Sequence, residues 1–281
     1  MDVPMPGLSN ASPAEQMDSI QYNVYAYVAS TVIIISEYLE TIELEASVIW
    51  PVERSAVKVL YFVNRILPAL SFPFMIAYNL TTSATHTSCK ILFTIPSVGI
   101  VACILISEAI LYIRVLALSQ MSKKVLVFIV INGAAVSVTI FALLGKFIAL
   151  SSWGASKYSL PGCYGEMYDG ILITIAYTIA LYSGIMVALL CVYFGIKIYW
   201  VERHGPLVSV FYRDGTLYFI ALALLSIGNG VAASLMPPHY RFLMAPLQAV
   251  AHSAISTRMI LHLKERAREG IWLSTACPSR I

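Results

Sequence analysis

The sequence predicts an all-α protein, a polytopic membrane bundle of seven transmembrane helices. The chain has 281 residues, of which 59% are hydrophobic, and its mean hydropathy is +0.78. Only 12% of the residues are charged, which is about half of the roughly 25% found in soluble domains. A soluble fold of this size could not bury so much apolar surface, whereas a bilayer accepts helices of about 20 apolar residues.

Seven long apolar segments, separated by short polar connections, account for most of the chain. Because backbone polar groups in lipid must be satisfied within the segment, each segment is expected to be a helix. The predicted spans cover residues 22–39, 57–80, 91–118, 125–150, 170–200, 217–236 and 240–263. Residues 1–21 are expected to form a short extracytoplasmic tail, and residues 264–281 a short basic cytoplasmic tail.

The distribution of Lys and Arg predicts the orientation, because cytoplasmic loops carry an excess of basic residues. With the N-terminus outside, the outer connections carry Lys90 and Lys157, and the N-terminal tail has neither Lys nor Arg. The inner connections and the C-terminal tail carry Arg54, Lys123, Lys124, Arg203, Arg213, Lys264, Arg266, Arg268 and Arg280. An odd number of spans then places the C-terminus inside. The expected location is the plasma membrane or another membrane of the secretory pathway.

Five segments of the chain form a recognisable set. The first two are residues 38–50, which include Glu45 and Trp50, and residues 58–65, which end in Arg65. The others are residues 107–118, 212–219 and 258–263. Together they resemble a family of uncharacterised multi-pass membrane proteins of basidiomycetes, the mushroom-forming fungi, which carry a conserved domain of unknown function. The resemblance covers nearly all of the membrane region. It implies a seven-span bundle and brings no established activity or substrate.

Two of the five cysteines occupy positions that favour a disulfide. Cys89 lies at the outer end of the third predicted helix, and Cys163 lies in the outer loop before the fifth. Both would face an oxidising compartment, in which a disulfide persists. A bridge would hold the loop of residues 151–169 over the mouth of the bundle, and a similar placement is a hallmark of G-protein-coupled receptors. The alternative is two free thiols.

Polar residues inside membrane spans are functional hypotheses. From the inner boundaries, Arg65 lies roughly 12 Å deep and Glu108 roughly 15 Å deep, at about 1.5 Å per residue. On the same scale His252 lies roughly 16 Å deep and Asn229 roughly 20 Å deep. The sequence therefore predicts one polar layer, with an Arg65–Glu108 ion pair and His252 nearby. Such a layer would either hold the helices together or serve as a switch or ion pathway.

A second group of ionic residues is predicted near the inner face of the bundle. Arg114 lies close to the inner end of the third span, and Glu37 and Arg258 lie at a similar shallow depth. A basic residue closing the third helix is similar in place to the ionic lock of receptors, although Ile113 stands where the receptor signature has a carboxylate. The alternative is that Arg114 extends to the lipid headgroups.

Catalytic and cofactor-binding motifs do not stand out, and the five histidines lack metal-ligand spacing. The sequence therefore predicts no enzyme, no metal and no cofactor. A net charge of +3 is too small to indicate nucleic-acid binding. The favoured interpretation is a receptor-like sensor in the lipid bilayer that couples an outer small-molecule ligand to a cytoplasmic signalling protein. The alternatives are a transporter or channel, a structural or lipid-interacting membrane protein, and an intramembrane enzyme.

Overall fold

The computed structural model describes residues 13–53, 55–81, 85–155, 162–166, 171–201, 206–237 and 240–276. Within these ranges the fold is all-α, as predicted, apart from one two-stranded hairpin. The helices are α1 (Pro13–Val48), α2 (Ala56–Leu80), α3 (His86–Leu118), α4 (Lys123–Leu150), α5 (Ile171–Val201), α6 (Pro206–Leu235) and α7 (Ala245–Ala276). The strands are β1 (Ser152–Ala155) and β2 (Cys163–Glu166). Four residues used to predict the orientation lie outside the described ranges: Arg54, Lys157, Arg203 and Arg280.

The helices extend beyond the apolar spans read from the sequence. α1 already begins at Pro13, a residue suited to the first turn of a helix, so the predicted tail of residues 1–21 is helical from that point. α7 ends at Ala276, so most of the predicted tail of residues 264–281 is also helical. Apolar length marks the part of a helix that lipid can cover, whereas backbone hydrogen bonding continues into polar sequence.

The predicted loop of residues 151–169 contains a β-hairpin. β1 pairs antiparallel with β2, with Ser152 opposite Glu166 and Ala155 opposite Cys163. Strands of four residues are too short for an alternating pattern to be recognised in sequence, which explains why the hairpin was not predicted. β1 packs against α3 and β2 against α2, so the hairpin is attached to the bundle.

Short connections make consecutive helices antiparallel. We call the end of the bundle that carries β1 and β2 the hairpin end, and the other end the opposite end. α1, α3, α5 and α7 begin at the hairpin end, and α2, α4 and α6 begin at the opposite end. α3 is central, because it packs against α2, α4, α5 and α7.

Polar and apolar side chains are distributed in the opposite way to a soluble fold. α4 leaves large apolar side chains exposed, including Val130, Ile131 and Val138. α7 instead buries a row of polar side chains, namely Gln248, His252, Ser253, Ser256 and Thr257. An apolar exterior around a partly polar interior is unstable in water and suits a lipid environment.

Four of the described helices are long and apolar enough to cross a membrane: α2, α3, α4 and the part of α5 from Ile171 to Lys197. α6 contains a shorter apolar stretch, Ala221–Leu235. α1 and α7 are more polar because α7 faces the interior and α1 carries acidic residues that pair with Arg65 and Arg258. These features indicate a membrane-embedded protein.

The apolar core divides into two clusters along the bundle. The cluster in the hairpin-end half includes Phe72, Phe93, Phe147 and Trp153. The cluster in the opposite half includes Tyr61, Leu111, Val115 and Leu261. Within the hairpin-end half, α2 and α3 approach closely at Gly99, where a Cβ would collide with the Ser71 hydroxyl.

Candidate functional site

A cavity of about 100 Å³ lies in the hairpin-end half of the bundle. α1, α2, α3, α4, α5 and α7 all contribute to its wall, together with Phe242 from the segment before α7. Most of the wall is apolar and includes Met75, Ile100, Leu144 and Ile173. The polar side chains at the wall are Tyr27, Ser97, Tyr177 and Gln248. An apolar recess with a few polar groups is typical of a small-molecule site.

Aromatic side chains close the cavity toward the hairpin. The ring centroids of Phe93 and Trp153 lie 4.7 Å apart, and those of Phe93 and Phe242 lie 5.8 Å apart. Phe242 also meets Phe147 at 6.0 Å, and Tyr78 meets Trp153 at 6.4 Å. The Trp153 side chain is buried and donates a hydrogen bond of 3.3 Å to the Ile148 carbonyl. We call Tyr78, Phe93, Phe147, Trp153 and Phe242 the aromatic cluster.

The hairpin is fixed to α2 and α3 by a covalent bond and a close backbone contact. The structure joins Cys89 of α3 to Cys163 of β2 in a disulfide. Gly162, with a φ of +101°, adopts a left-handed conformation that favours glycine. Its N–H donates to the Thr81 carbonyl at 2.7 Å, and a Cβ at this position would lie 2.7 Å from the Asn79 carbonyl oxygen. These contacts set the position of the hairpin beside the cavity.

Gln248 is a polar side chain at the cavity wall, and its buried amide has one unfilled hydrogen-bonding position. It belongs to α7 and is only 1% exposed. Its Nε2 donates a hydrogen bond of 3.1 Å to Ser226 Oγ of α6. Its Oε1 has no partner among the described residues. Sequence reasoning missed Gln248, although a glutamine within an apolar span is the signal that could have identified it.

The structure does not join Arg65, Glu108, Asn229 and His252 into one polar layer. His252 is buried, and neither ring nitrogen has a hydrogen-bond partner in the part of the chain that the structure describes. Asn229 donates within its own helix to the Leu225 carbonyl, at 3.2 Å. The depth estimate from the sequence gives only the position of a residue along the bundle axis. It does not give the direction of the side chain, which determines the helix that the side chain contacts.

The predicted Arg65–Glu108 ion pair is wrong, because Arg65 pairs with Glu45 of α1. Arg65 Nη1 lies 3.0 Å from Glu45 Oε2, and the Glu45 side chain is only 2% exposed. Arg65 Nη2 donates to Thr41 Oγ1 at 2.7 Å and to the Tyr38 carbonyl at 3.2 Å. The guanidinium carbon also lies 4.5 Å from the centroid of the Tyr38 ring. Arg65 therefore faces α1 instead of α3.

Glu45 is held by further donors from α2 and from the connection that precedes it. The Tyr61 hydroxyl donates to Glu45 Oε2 at 3.0 Å, and Trp50 Nε1 donates to Oε1 at 3.2 Å. The Lys58 ammonium group donates to the carbonyls of Trp50 and Val52 at 3.0 and 2.7 Å. We call the six residues Tyr38, Thr41, Glu45, Trp50, Tyr61 and Arg65 the Glu45 cluster. A buried carboxylate with this many donors fixes the geometry of the α1–α2 connection.

Glu108 belongs to a separate polar chain that links α3, α4 and α5. Ser183 Oγ donates to Glu108 Oε2 at 2.7 Å. The hydroxyls of Ser183 and Tyr112 lie 3.2 Å apart, and Asn132 Nδ2 donates to the Tyr112 hydroxyl at 2.7 Å. This arrangement corresponds to hydrogen bonds that hold membrane helices together.

A polar layer does cross the bundle, and it is built from neighbours of the predicted residues. Asn64 Oδ1 accepts from Ser107 Oγ at 2.8 Å, and Asn64 Nδ2 donates to Ser256 Oγ at 3.1 Å. Ser253 Oγ donates to the Asn64 carbonyl at 2.9 Å. We call Asn64, Ser107, Ser253 and Ser256 the Asn64 layer. It lies between the two apolar clusters and joins α2, α3 and α7.

Two of the three predicted inner-face residues meet at the opposite end of the bundle. Arg258 of α7 donates to both carboxylate oxygens of Glu37 at 2.7 Å and to Glu40 Oε2 at 2.6 Å. Arg114 does not reach outward toward headgroups, because it is 7% exposed and contacts Met259 of α7. The bidentate contact between Arg258 and Glu37 ties α7 to α1.

No three His, Cys, Asp or Glu side chains within the described ranges are grouped so that they could hold a metal ion. His262 lies 3.4 Å from Glu265 on the exposed face of α7, and His252 is buried in the interior of the bundle. The cavity is therefore the better candidate for a ligand site.

A model of a family of unknown function, DUF6533, matches residues 25–70. This range includes all six residues of the Glu45 cluster, together with Glu37 and Asn64. No curated protein matches the chain. The match is consistent with the resemblance drawn from sequence to a conserved domain of unknown function, and it carries no activity.

Proposed function

We propose that this chain is a seven-span receptor-like membrane protein that binds a small, mostly apolar molecule in the cavity at the hairpin end. In this proposal α1, α6 and α7 span the membrane together with the four more apolar helices. The N-terminus and the hairpin lie outside, and the C-terminus lies inside. The disulfide between Cys89 and Cys163 supports this orientation, since such bonds persist in oxidising compartments.

The observation that carries the proposal is the cavity itself. Six helices contribute to its wall, and Phe93 and Phe242 of the aromatic cluster lie at its edge. Protein interiors are normally densely packed, so a space of about 100 Å³ among six helices supports a binding site. Binding there would change contacts on six helices at once.

α1 and α7 provide a route from the cavity to the opposite end. Tyr27 of α1 and Gln248 of α7 line the cavity. The same two helices meet again through Glu37 and Arg258 at the opposite end. A ligand that alters the spacing of α1 and α7 would therefore act on this ion pair. A cytoplasmic signalling protein would bind according to this change, and the exposed Lys124 at the start of α4 lies at the same end of the bundle.

The Asn64 layer favours a receptor over a transporter. It lies between the cavity and the opposite end, and its hydrogen bonds join α2, α3 and α7. A substrate crossing the bundle would have to separate these three helices and leave buried polar groups without partners.

The proposal can be tested by filling the cavity. Ala176→Phe on α5 adds a ring at the cavity wall, and Ala142→Phe adds the same ring on the exposed face of α4. Each protein is purified from its native membrane, and the small molecules that co-purify are identified by mass spectrometry. We expect wild type and Ala142→Phe to retain a common small molecule that Ala176→Phe loses.

Equal retention by all three proteins would place the molecule outside the cavity and contradict the proposal. A second measurement tests coupling. Cross-linking of cytoplasmic proteins to Lys123 and Lys124 is expected to differ between wild type and Ala176→Phe. Flux of a solute through proteoliposomes that Ala176→Phe abolishes would instead favour a transporter.

A further inference from the structure

We infer that the cavity takes a molecule with one benzene-sized apolar group and one hydroxyl, and that Gln248 binds the hydroxyl. This inference rests on the proposed function, because it names the ligand class of the same cavity. It is carried by two independent observations, which are the size and apolar character of the cavity and the unfilled hydrogen-bonding position of Gln248.

The size of the cavity limits the apolar part of the ligand. An engineered cavity of about 150 Å³ lined by Leu, Ile and Phe binds benzene. The cavity here is about 100 Å³ and is similarly lined, with Ile100, Leu144 and Ile173 in its wall. A single aromatic ring or a branched chain of similar volume is therefore close to the largest apolar group that this space can enclose, and a larger molecule such as a sterol would extend out of it.

The environment of Gln248 indicates which polar group the ligand should carry. One half of its amide bonds to Ser226, and the other half is buried without a partner among the described residues. A buried polar group without a hydrogen bond is destabilising. A ligand that supplies the missing hydrogen bond is therefore favoured over a hydrocarbon of the same shape.

A hydroxyl satisfies Gln248 in either orientation of the amide. With Nε2 directed to Ser226, the oxygen accepts a hydrogen bond from the ligand hydroxyl. With the amide turned by half a rotation, Ser226 donates to the oxygen, and Nε2 donates to the ligand hydroxyl. The free oxygen is itself buried, so binding the ligand hydroxyl requires a rotation of the amide toward the cavity, and the last torsion of glutamine is broad enough to permit one.

A charged ligand does not fit the same site. The wall carries no ionisable group apart from the phenols of Tyr27 and Tyr177, and Arg65 and Glu45 are engaged with each other outside the cavity. A buried charge without a counter-ion is strongly disfavoured in so apolar a space. A neutral phenol or a neutral alcohol is consistent with both the wall and the amide.

The test compares two probes of nearly equal shape, 4-fluorophenol and fluorobenzene, by 19F NMR with the purified protein in lipid nanodiscs. Empty nanodiscs correct for partition into lipid. The proteins are wild type, Gln248→Met, and Ala176→Phe as a blocked cavity. We expect fluorobenzene to bind wild type and Gln248→Met but not Ala176→Phe. We expect the preference for 4-fluorophenol over fluorobenzene to fall about three- to tenfold in Gln248→Met, which corresponds to one hydrogen bond.

The outcomes separate the inference from the proposal beneath it. If fluorobenzene binds no better to wild type than to Ala176→Phe, the cavity is not a ligand site and both fail. If fluorobenzene binds and Gln248→Met keeps the full preference for the phenol, only the inference fails, and the cavity takes hydrocarbon such as a lipid chain. Loss of the preference in Tyr27→Phe, Tyr177→Phe or Ser97→Ala, with Gln248→Met unchanged, would also overturn it.

Folding of the test variant is checked separately. Gln248→Met keeps the length of the side chain and removes both a buried oxygen without a partner and the hydrogen bond to Ser226, whose hydroxyl can bond within its own helix, so its melting temperature is expected to stay close to that of wild type. Should this variant not be recovered, Gln248→Leu serves the same comparison. Either variant that folds and retains the wild-type preference contradicts the inference.

Discussion

The hairpin end and the opposite end of the bundle are held together by different interactions. At the hairpin end, the disulfide between Cys89 and Cys163 and the packing of the aromatic cluster join the helices. At the opposite end, α1 is joined to its neighbours by charged hydrogen bonds, through the Glu45 cluster to α2 and through Arg258 to α7. Apolar packing is non-directional, whereas a charged pair requires particular atoms at particular distances.

This difference bears on what each end can do. The cavity lies at the end that is held by apolar packing, where an apolar ligand can supply non-directional contacts of the same kind. Charged pairs have few alternative arrangements, so the opposite end is suited to two distinct states, paired and unpaired. If the two ends do work as a binding end and a responding end, substitutions at each end should have separable effects on stability and on ligand binding.

The largest effect on stability is expected from Glu45→Gln. This change leaves the Arg65 guanidinium buried without its counter-ion, and breaking a buried pair in this way costs about 3–5 kcal/mol. The exposed Glu43 on the same helix provides a matched control, since Glu43→Gln removes the same charge. Thermal unfolding in detergent micelles should show a large loss for Glu45→Gln and almost none for Glu43→Gln.

A double variant sharpens this prediction. Adding Arg65→Met to Glu45→Gln removes the unpaired charge and should recover part of the lost stability. Equal melting temperatures for the two Glu→Gln variants would mean that the Glu45 cluster does not hold the opposite end together.

The second effect, at the hairpin end, is expected from Cys163→Ser. The disulfide closes a loop with a sequence separation of 74 residues, and loss of such a bond typically costs about 2–4 kcal/mol. Binding of 4-fluorophenol should fall as well, because the hairpin is no longer fixed beside the cavity. The double variant Cys89→Ser with Cys163→Ser should match the single variant. A further drop in the double variant would show that Cys89 contributes through contacts other than the disulfide.

Much of the fold follows from the sequence, because apolar length and helical hydrogen bonding are local properties. The all-α class and the seven helices are of this kind. Cys89 and Cys163 could be paired in advance since both were placed at the same end of the bundle. The ends of the helices are harder to predict from the sequence. α1 and α7 continue past their apolar spans into polar sequence, where hydropathy no longer indicates whether the chain is helical.

The candidate site is harder to predict from the sequence than the fold, because it depends on the direction in which each side chain leaves its helix. Arg65 and Asn64 are adjacent in sequence and point to different helices, Arg65 to α1 and Asn64 to α3 and α7. Depth alone could not separate them, so the ion pair was assigned to Glu108. The cavity is formed by residues from six helices and the segment before α7. An unfilled space between packed helices leaves no pattern in the sequence, because it depends on how the helices fit together in three dimensions.

A third and smaller effect is expected from Asn64→Ala in the Asn64 layer. The change removes hydrogen bonds to Ser107 and Ser256 between helices. Interhelical hydrogen bonds in membranes contribute about 0.6–2 kcal/mol each, and the two serines can bond to their own helices instead. A loss of about 1–2 kcal/mol is therefore expected. The control is Asn79→Ala, whose amide donates within α2 to the Met75 carbonyl.

The smallest effect on stability is expected from Arg258→Gln. Although the contact with Glu37 is bidentate, the two side chains are 37% and 26% exposed, so solvent and lipid headgroups weaken the pair. We expect a loss of about 0.5–1 kcal/mol, as for other partly exposed ion pairs. The double-mutant cycle with Glu37→Gln isolates the pair. Its coupling should decrease between low and high salt, unlike the buried pair of Glu45 and Arg65.

The same variant separates the two roles of the opposite end. Since the pair of Arg258 and Glu37 lies far from the cavity, Arg258→Gln should leave the affinity for fluorobenzene nearly unchanged if the ends are independent. If α1 and α7 couple the two ends, the affinity for fluorobenzene should change, because ligand binding then no longer has to alter the ion pair between Arg258 and Glu37. Arg258→Lys keeps the charge and loses the bidentate contact, so it should behave like Arg258→Gln if geometry matters and like wild type if charge alone does. An affinity identical in all three proteins would show that the two ends differ in how they are held together without communicating.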